Sequence, residues 1–385
     1  MIPFSDSTPL IATTLFGLEE VLAEELRALG AGNIHILNRA VSFTGDQALM
    51  YKANLCLRTA LRILRPIFDF TAENEQMLYQ RILDFDWAEV MSTDTTFAIH
   101  AAVSSPHFSH SQYVALKTKD AIVDQFRAKT GKRPSVDIQN PHISINIHIT
   151  GNQVSLALDS SGESLHRRGY RTQNHRAPLN EVLAAGLLHL AGWSGEGNLV
   201  DPMCGSGTIP IEAALIATNT PPGIFRRNFG FRSWRDYDHQ VWQKVKNEAR
   251  RQQKTFTGKI EGSDISSQNL ALAYECVKNA GFETVISLSQ QDFLSRPAVN
   301  GGGILMINPP YGERLEENDI ESFYRNMGDR MKKNWAGYNV WIISSNTAAM
   351  KSVGLRPDKK LQVYNGSLAC KFYCYRIFEG SRKVD

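Results

Sequence analysis

Apolar and polar positions change period repeatedly along this chain, and each change marks an expected element. In the first stretch, strand-like alternation at 10–13 is followed by helical spacing over 17–29. A short strand at 41–43, a helix over 46–57 and a strand over 60–67 come next. This βαβαβ-like order predicts a small α+β domain over residues 1–65. Residues 66–160 read as a second unit. It has a helix over 73–82, a strand over 96–102, a polar loop over 104–111 and a helix over 113–129. Two further strands, 144–149 and 153–159, meet at Thr150-Gly151-Asn152, a suitable hairpin turn. Ser160-Ser161-Gly162 marks the next boundary. Over 161–385 helical and strand patterns alternate. The helices are expected at 177–190, 210–217 and 268–280, the last closed by Gly281. Strands end at Asp201, near Asp264 and near Gln291, and later ones fall at 304–307, 340–344 and 370–378. Alternation of this kind predicts an α/β fold with a mostly parallel, doubly wound sheet and helices on both faces.

The ends of those strands carry the chemistry. The apolar run 304–307, led in by Gly301-Gly302-Gly303, ends in Asn308-Pro309-Pro310-Tyr311. An Asn side-chain oxygen and a Pro carbonyl can both accept hydrogen bonds from one NH2 group. The prolines fix φ and hold the acceptors still, and an aromatic ring offers a face to a base. The pattern suits an exocyclic amine on a planar base. A second motif, Asp201-Pro202-Met203-Cys204-Gly205-Ser206-Gly207-Thr208, turns from a strand into an Ala-rich helix. Its glycines permit positive φ and close approach to a ligand. It lacks both the G-x-G-x-x-G spacing and the phosphate-loop lysine, so a ligand without phosphates is expected. Asp264-Ile265 ends another strand, where a carboxylate can accept from a ribose diol. Asp292-Phe293 ends a third; the acid could accept from an adenine amine while Ile265 and Phe293 flank the ring. A lone Asp is more often an N-cap or a surface residue. Three acids at successive strand tips followed by Asn-Pro-Pro-Tyr form a much rarer set.

These segments resemble the S-adenosylmethionine-dependent amino-methyltransferases, in particular the THUMP-containing guanine-N2 RNA methyltransferases, the family of the methylase of bacterial 23S ribosomal RNA. The resemblance covers nearly the whole chain. It includes the junction Leu165-His-Arg-Arg-Gly-Tyr170-Arg-Thr-Gln173-Asn-His-Arg-Ala177-Pro-Leu-Asn180-Glu and the stretch Phe225-Arg-Arg-Asn-Phe-Gly-Phe-Arg-Ser-Trp234. It implies a Rossmann-like methyltransferase domain over 161–385, preceded by a ferredoxin-like domain over 1–65 and a THUMP RNA-binding domain over 66–160. It also implies that Asp201, Cys204, Gly205 and Gly207 surround the methionine moiety of the cofactor, with Pro202 and Thr208 in the same turn. Asp264 would take the ribose hydroxyls and Asp292 the adenine amine. Asn180 would close the methionine end, and Asn308, Pro309 and Tyr311 would hold the target base. The enterobacterial form is fused to a second methylase domain; this chain stops at Asp385 and is expected to carry one activity.

Composition narrows the picture further. Of 385 residues, 42% are hydrophobic and 21% charged, ordinary values for a globular protein. No apolar run approaches the roughly 20 residues needed to span a bilayer. The first residues lack a basic start and apolar core, so the cytoplasm is the expected compartment. Five cysteines, at 56, 204, 276, 370 and 374, do not make a disulfide framework, and no metal is expected. Cys204 has no nearby His to activate it, and a thiol lining the pocket is the plainer reading. The net charge is only +3, so RNA binding must rest on local clusters. Arg167, Arg168 and Arg171 crowd one junction, with Arg176 close by. Arg226, Arg227, Arg232 and Arg235 alternate with Phe225, Phe229, Phe231, Trp234 and Tyr237. Basic residues interleaved with rings suit single-stranded or flipped-out RNA; a loop packed down by its own aromatics is the alternative.

The activity expected is methyl transfer to the exocyclic amine of a guanine in RNA, most readily 23S rRNA or its precursor particle. A transfer RNA guanine, an adenine amine in DNA, and a non-enzymatic ribosome assembly factor are the alternatives. Neither the nucleotide nor the oligomeric state follows from the sequence.

Overall fold

The computed structural model describes residues 4–171, 179–310 and 317–378. Its order is β1 (Thr8–Thr13), α1 (Glu19–Ala28), β2 (Gly32–Leu37), β3 (Ala40–Gly45), α2 (Gln47–Cys56), β4 (Arg62–Thr71), α3 (Glu75–Asp84), β5 (Thr96–Ser104), α4 (Ser111–Thr130), β6 (Ser135–Val136), β7 (Ile143–Thr150) and β8 (Gln153–Asp159). The chain continues with α5 (Glu181–Leu190), β9 (Asn198–Asp201), α6 (Thr208–Ala217), α7 (His239–Arg251), β10 (Lys259–Asp264), α8 (Ser267–Asn279), β11 (Ile286–Gln290), β12 (Gly303–Ile307), α9 (Glu317–Asn334), β13 (Tyr338–Ser344), β14 (Lys359–Asn365) and β15 (Leu368–Arg376).

Two compact units result. The first comprises 1–14, 22–165 and 226–247. Its eight strands form one sheet in the order β2-β3-β1-β4-β8-β7-β5-β6. Strand β4 pairs with β1 on one side and with β8 on the other. The expected division at residues 65 and 66 therefore falls inside a strand that both parts use. The expected five-element start also lacked β2. That edge strand is almost wholly solvent-facing, so no core face marks it in the sequence.

Residues 226–247 interrupt the C-terminal half of the chain, yet they pack in the first unit. Phe231 lies 4.3 Å from Tyr51, 5.4 Å from Phe229 and 5.3 Å from Trp242, centroid to centroid. The Arg65 guanidinium pairs with Asp236 at 2.9 Å, and Tyr51 Oη accepts from the backbone N–H of Asp238. Phe229, Phe231 and Trp234 are buried. The expectation that these rings would stack on RNA bases is corrected: they are core, and their apolar area is already removed from water.

The second unit comprises 15–21, 166–225 and 248–385. Its seven strands run in the order β11-β10-β9-β12-β13-β15-β14. The pairings from β11 to β13 are parallel, and β15 is antiparallel to both β13 and β14. Chain order reverses between β9 and β12, which makes their C-terminal ends a topological switch point. On one face Val200, Leu305, Ile307, Val340 and Ile342 pack with Tyr324, Met327 and Met331 of α9 and with Trp335 just beyond it. Each of these fully buried apolar side chains contributes roughly 1.5–3 kcal/mol. Helices α7 and α9 and the edge strand β14 were not anticipated. None of the described helices is long and apolar enough to cross a membrane.

Candidate active site

Four neighbouring parallel strands end in the residues that sequence singled out. Asp292 follows β11, Asp264 closes β10, Asp201 closes β9 and Asn308 follows β12. Their order across the sheet, 292-264-201-308, straddles the switch point.

The glycine turn after β9 is fastened to β10. The backbone N–H of Cys204 donates to the carbonyl of Ser263 at 2.9 Å, and that of Gly205 donates to Asp264 Oδ2 at 2.9 Å. Gly205 and Gly207 both have positive φ, 55° and 79°. A Cβ on Gly205 would meet no atom of the described residues within 4 Å, so among them the turn is open there. On Gly207 it would meet Ala273 at 3.3 Å.

Asp264 Oδ1 accepts from the N–H of Ser266 at 2.9 Å and from the Asn269 amide at 3.2 Å. With Gly205 on Oδ2, three of its four lone pairs are used. One acceptor position remains. Asp201 is buried, and its Oδ1 accepts from the N–H of Met203 at 3.1 Å. Burial, partly opposed by that bond, pushes its carboxyl up to about 8. Asp292 closes its own turn, accepting from the N–H of Leu294 at 3.0 Å.

Phe293 requires a correction. It is buried in the α9 core, 6.0 Å from Trp335, and does not flank a ligand. Ile265, in contrast, is 68% exposed. Asn180 caps α5, its Oδ1 accepting from the N–H groups of Val182 and Leu183 at 2.9 and 3.2 Å. Both lone pairs of that oxygen are thereby used. Pro202 is buried. Cys204 is buried too, and burial pushes its thiol far up, which leaves it inert as a nucleophile. Asn308 is half-buried, Pro309 buried and Pro310 exposed. Tyr324 Oη donates to the Pro310 carbonyl at 3.3 Å. Tyr311 and Arg176 lie outside the described residues.

The arginine cluster separates into two groups. Arg168 is buried and holds Glu212 through two hydrogen bonds of 3.2 Å, while Tyr170 Oη reaches the same carboxylate. Removing one partner of such a pair costs about 3–5 kcal/mol. Arg171 pairs with Glu181 at 3.0 Å and donates to Thr208 Oγ1. Arg226 donates to the carbonyls of Ser161, Glu163 and Ser164 and lies over the Phe229 ring. The RNA roles expected of Arg168, Arg171 and Arg226 are thus corrected, because their guanidiniums hold the protein's own acceptors. Arg167, Arg227 and Arg232 are exposed. Arg296 was missed altogether. It is buried and donates to Ser263 Oγ and to Glu261, both at 2.5 Å, tying the Asp292 turn to β10. Its only sequence signal is a cation three residues after a strand-tip Asp-Phe.

A doubly wound sheet with a glycine turn after its first strand, acids on the next two and Asn-Pro-Pro on the fourth defines a Rossmann-like methyltransferase. The comparisons agree. The family described as the RMKL-like methyltransferase domain matches residues 168–373, the RlmL ferredoxin-like domain matches 9–64 and the THUMP domain 72–159. The chain belongs to this RMKL-like methyltransferase family. A ribosomal RNA large subunit methyltransferase K/L of Syntrophotalea carbinolica is 38% identical over 380 residues, which is 96% of this chain and 53% of that protein. The chain thus spans about half the length of the K/L relative. A putative RNA methyltransferase of Synechocystis sp. is 38% identical over 378 residues, covering 97% of this chain and 98% of that one. Among solved structures, a putative methyltransferase complexed with SAH superposes with a TM-score of 0.87 at 30% identity, covering 98% of this chain and all of that one.

Proposed function

We propose that this chain transfers a methyl group from S-adenosylmethionine to the exocyclic N2 amine of a guanine in RNA, with 23S rRNA, free or in its precursor particle, as substrate. The observation that carries the reading is the row of four adjacent parallel strand tips, ending in Asp292, Asp264, Asp201 and Asn308, across the switch point. The names of the K/L and Synechocystis relatives support RNA, and the match to THUMP supports an RNA-binding module.

The residues present fit the cofactor. The space in front of Gly205 would be filled by any side chain, and the cation that reaches the adjoining turn, Arg171, is already paired with Glu181. Asp201, Gly205 and Gly207 would border the methionine part, together with Thr208 and the NH2 of Asn180. The remaining acceptor of Asp264 would take one ribose hydroxyl, Asp292 would face the adenine amine, and Ile265 would cover the ring. When bound, S-adenosylmethionine supplies an electrophilic methyl group.

The protein's own contribution is orientation. Asn308 Oδ1 and the Pro309 carbonyl would accept hydrogen bonds from the two amine N–H groups and localise on nitrogen, toward the methyl, a lone pair otherwise delocalised into the ring. The Pro310 carbonyl is already engaged by Tyr324, which favours the Pro309 carbonyl as the backbone acceptor of the pair. Tyr311 would stack on the base, which must leave its helix to enter. A fixed near-attack geometry supplies most of the acceleration, and no strong base is needed, since the proton leaves a cationic nitrogen. Exposed Arg167, Arg227 and Arg232 would meet phosphates. The cytoplasm is the proposed compartment.

The test is transfer of labelled methyl to 23S rRNA, transfer RNA and DNA, followed by nucleoside mass spectrometry. N2-methylguanosine in 23S rRNA is expected. Label in transfer RNA alone would move the substrate, label in DNA adenine would replace the reading, and no label with any acceptor would favour an assembly factor.

A further inference from the structure

Glycine turns are cheap to bend and costly to order. Fixing one residue's backbone costs about 1–2 kcal/mol, most for glycine. The Gly205-Ser206-Gly207 turn is held on its first side by Asp264 and Ser263. On its other side, Gly207 stands at the N-cap of α6 and offers no side-chain cap, whereas Asn180 caps α5. What reaches the start of α6 is Arg171. Its guanidinium donates through one terminal nitrogen to Thr208, the first residue of α6, and through the other to Glu181, the first residue of α5. Arg171 also lies against Cys276 of α8, where it lowers a thiol that burial has raised.

We propose that Arg171 is a positioning residue that fixes the glycine turn, acting through Thr208 and anchored on Glu181. This rests on the functional reading above, which places the cofactor at that turn. A planar fork serves two acceptors at once; a lysine ammonium on a single stem does not span both. Loosening this side of the turn leaves the cofactor to order it on binding, so affinity falls about 10-fold while the rate at saturation holds.

The experiment is a double-mutant cycle in the full chain with R171M, E181Q and both together. SAH affinity is measured by calorimetry, and KM for S-adenosylmethionine, KM for RNA and kcat by methyl transfer. Each single variant is expected to raise Kd for SAH about 10-fold, and the double variant no more than either. The KM for RNA and kcat should stay within about 2-fold. R171K keeps the charge beside Glu181 and should fold while showing the same affinity loss; it replaces R171M in the cycle if the latter does not fold. Wild-type SAH affinity in any of these variants, additive losses, or a rise in the RNA KM instead overturns the proposal. If the unaltered protein fails to bind SAH, the functional reading itself falls.

Discussion

Asp201 offers a direct test of how the cleft is built. Its carboxyl is buried and pushed up to about 8, against an unperturbed 3.8. Between those values the folded protein keeps a proton that the unfolded chain gives up. Stability should therefore fall as pH rises through that window, by about 1.4 kcal/mol per pH unit for one proton. Completed, the loss is on the order of 5 kcal/mol. Asp201→Asn keeps an oxygen able to accept from the N–H of Met203 but cannot ionise. Urea unfolding of both proteins at pH 5, 6, 7 and 8, without cofactor, should show the variant gaining on the wild type by about 1.4 kcal/mol per pH unit up to pH 7. The gain should level off near pH 8. Parallel stability curves would refute the reasoning and mean that the carboxylate is solvated or paired in the folded protein.

Other outcomes follow from the same geometry. Asn308→Ala should lower kcat about 100-fold and leave the affinity for SAH within about 3-fold, because the amide is proposed to act on the base; unchanged turnover in the transfer assay would reject that role. Gly205→Ala should cost about 1–2 kcal/mol of folding stability from its positive φ, and SAH affinity should fall at least 10-fold as the methyl enters the open space. A calorimetric titration matching wild type would contradict it. Replacing Arg227 and Arg232 together by Ala should weaken RNA binding and lower the salt slope of log K by about one for each phosphate no longer neutralised, with no change in SAH affinity. An unaltered salt slope would remove both residues from the RNA surface.

What could be read in advance follows physical lines. Asp201, Asp264, Asp292 and Asn308 stand where an apolar run meets Gly, Pro or a polar turn, and such punctuation is local. The placing of these residues at strand ends was therefore legible. Phe231 and Trp234 were not, since a ring beside arginines reads alike whether it meets RNA or Tyr51. Arg168 and Arg171 looked like surface cations because two of their partners, Glu212 and Thr208, are distant in sequence. The role of β4 in two halves of one sheet depends on its pairing with β8, about ninety residues on. Edge strands β2 and β14 bury too little on one side to print a period. Phe293 was assigned to the ligand because it follows a strand-tip acid; the core beneath α9 claimed it.

The packing of 226–247 in the first unit bears on how this chain can be cut. A fragment beginning at residue 161 would carry Phe229, Phe231, Trp234 and Trp242 without Tyr51 and Arg65, exposing an apolar patch to solvent. A fragment ending at residue 160 would lose those rings from its core. Neither piece is a portable cassette, so swapping RNA-binding modules between relatives requires carrying the twenty-two-residue excursion along with the N-terminal part.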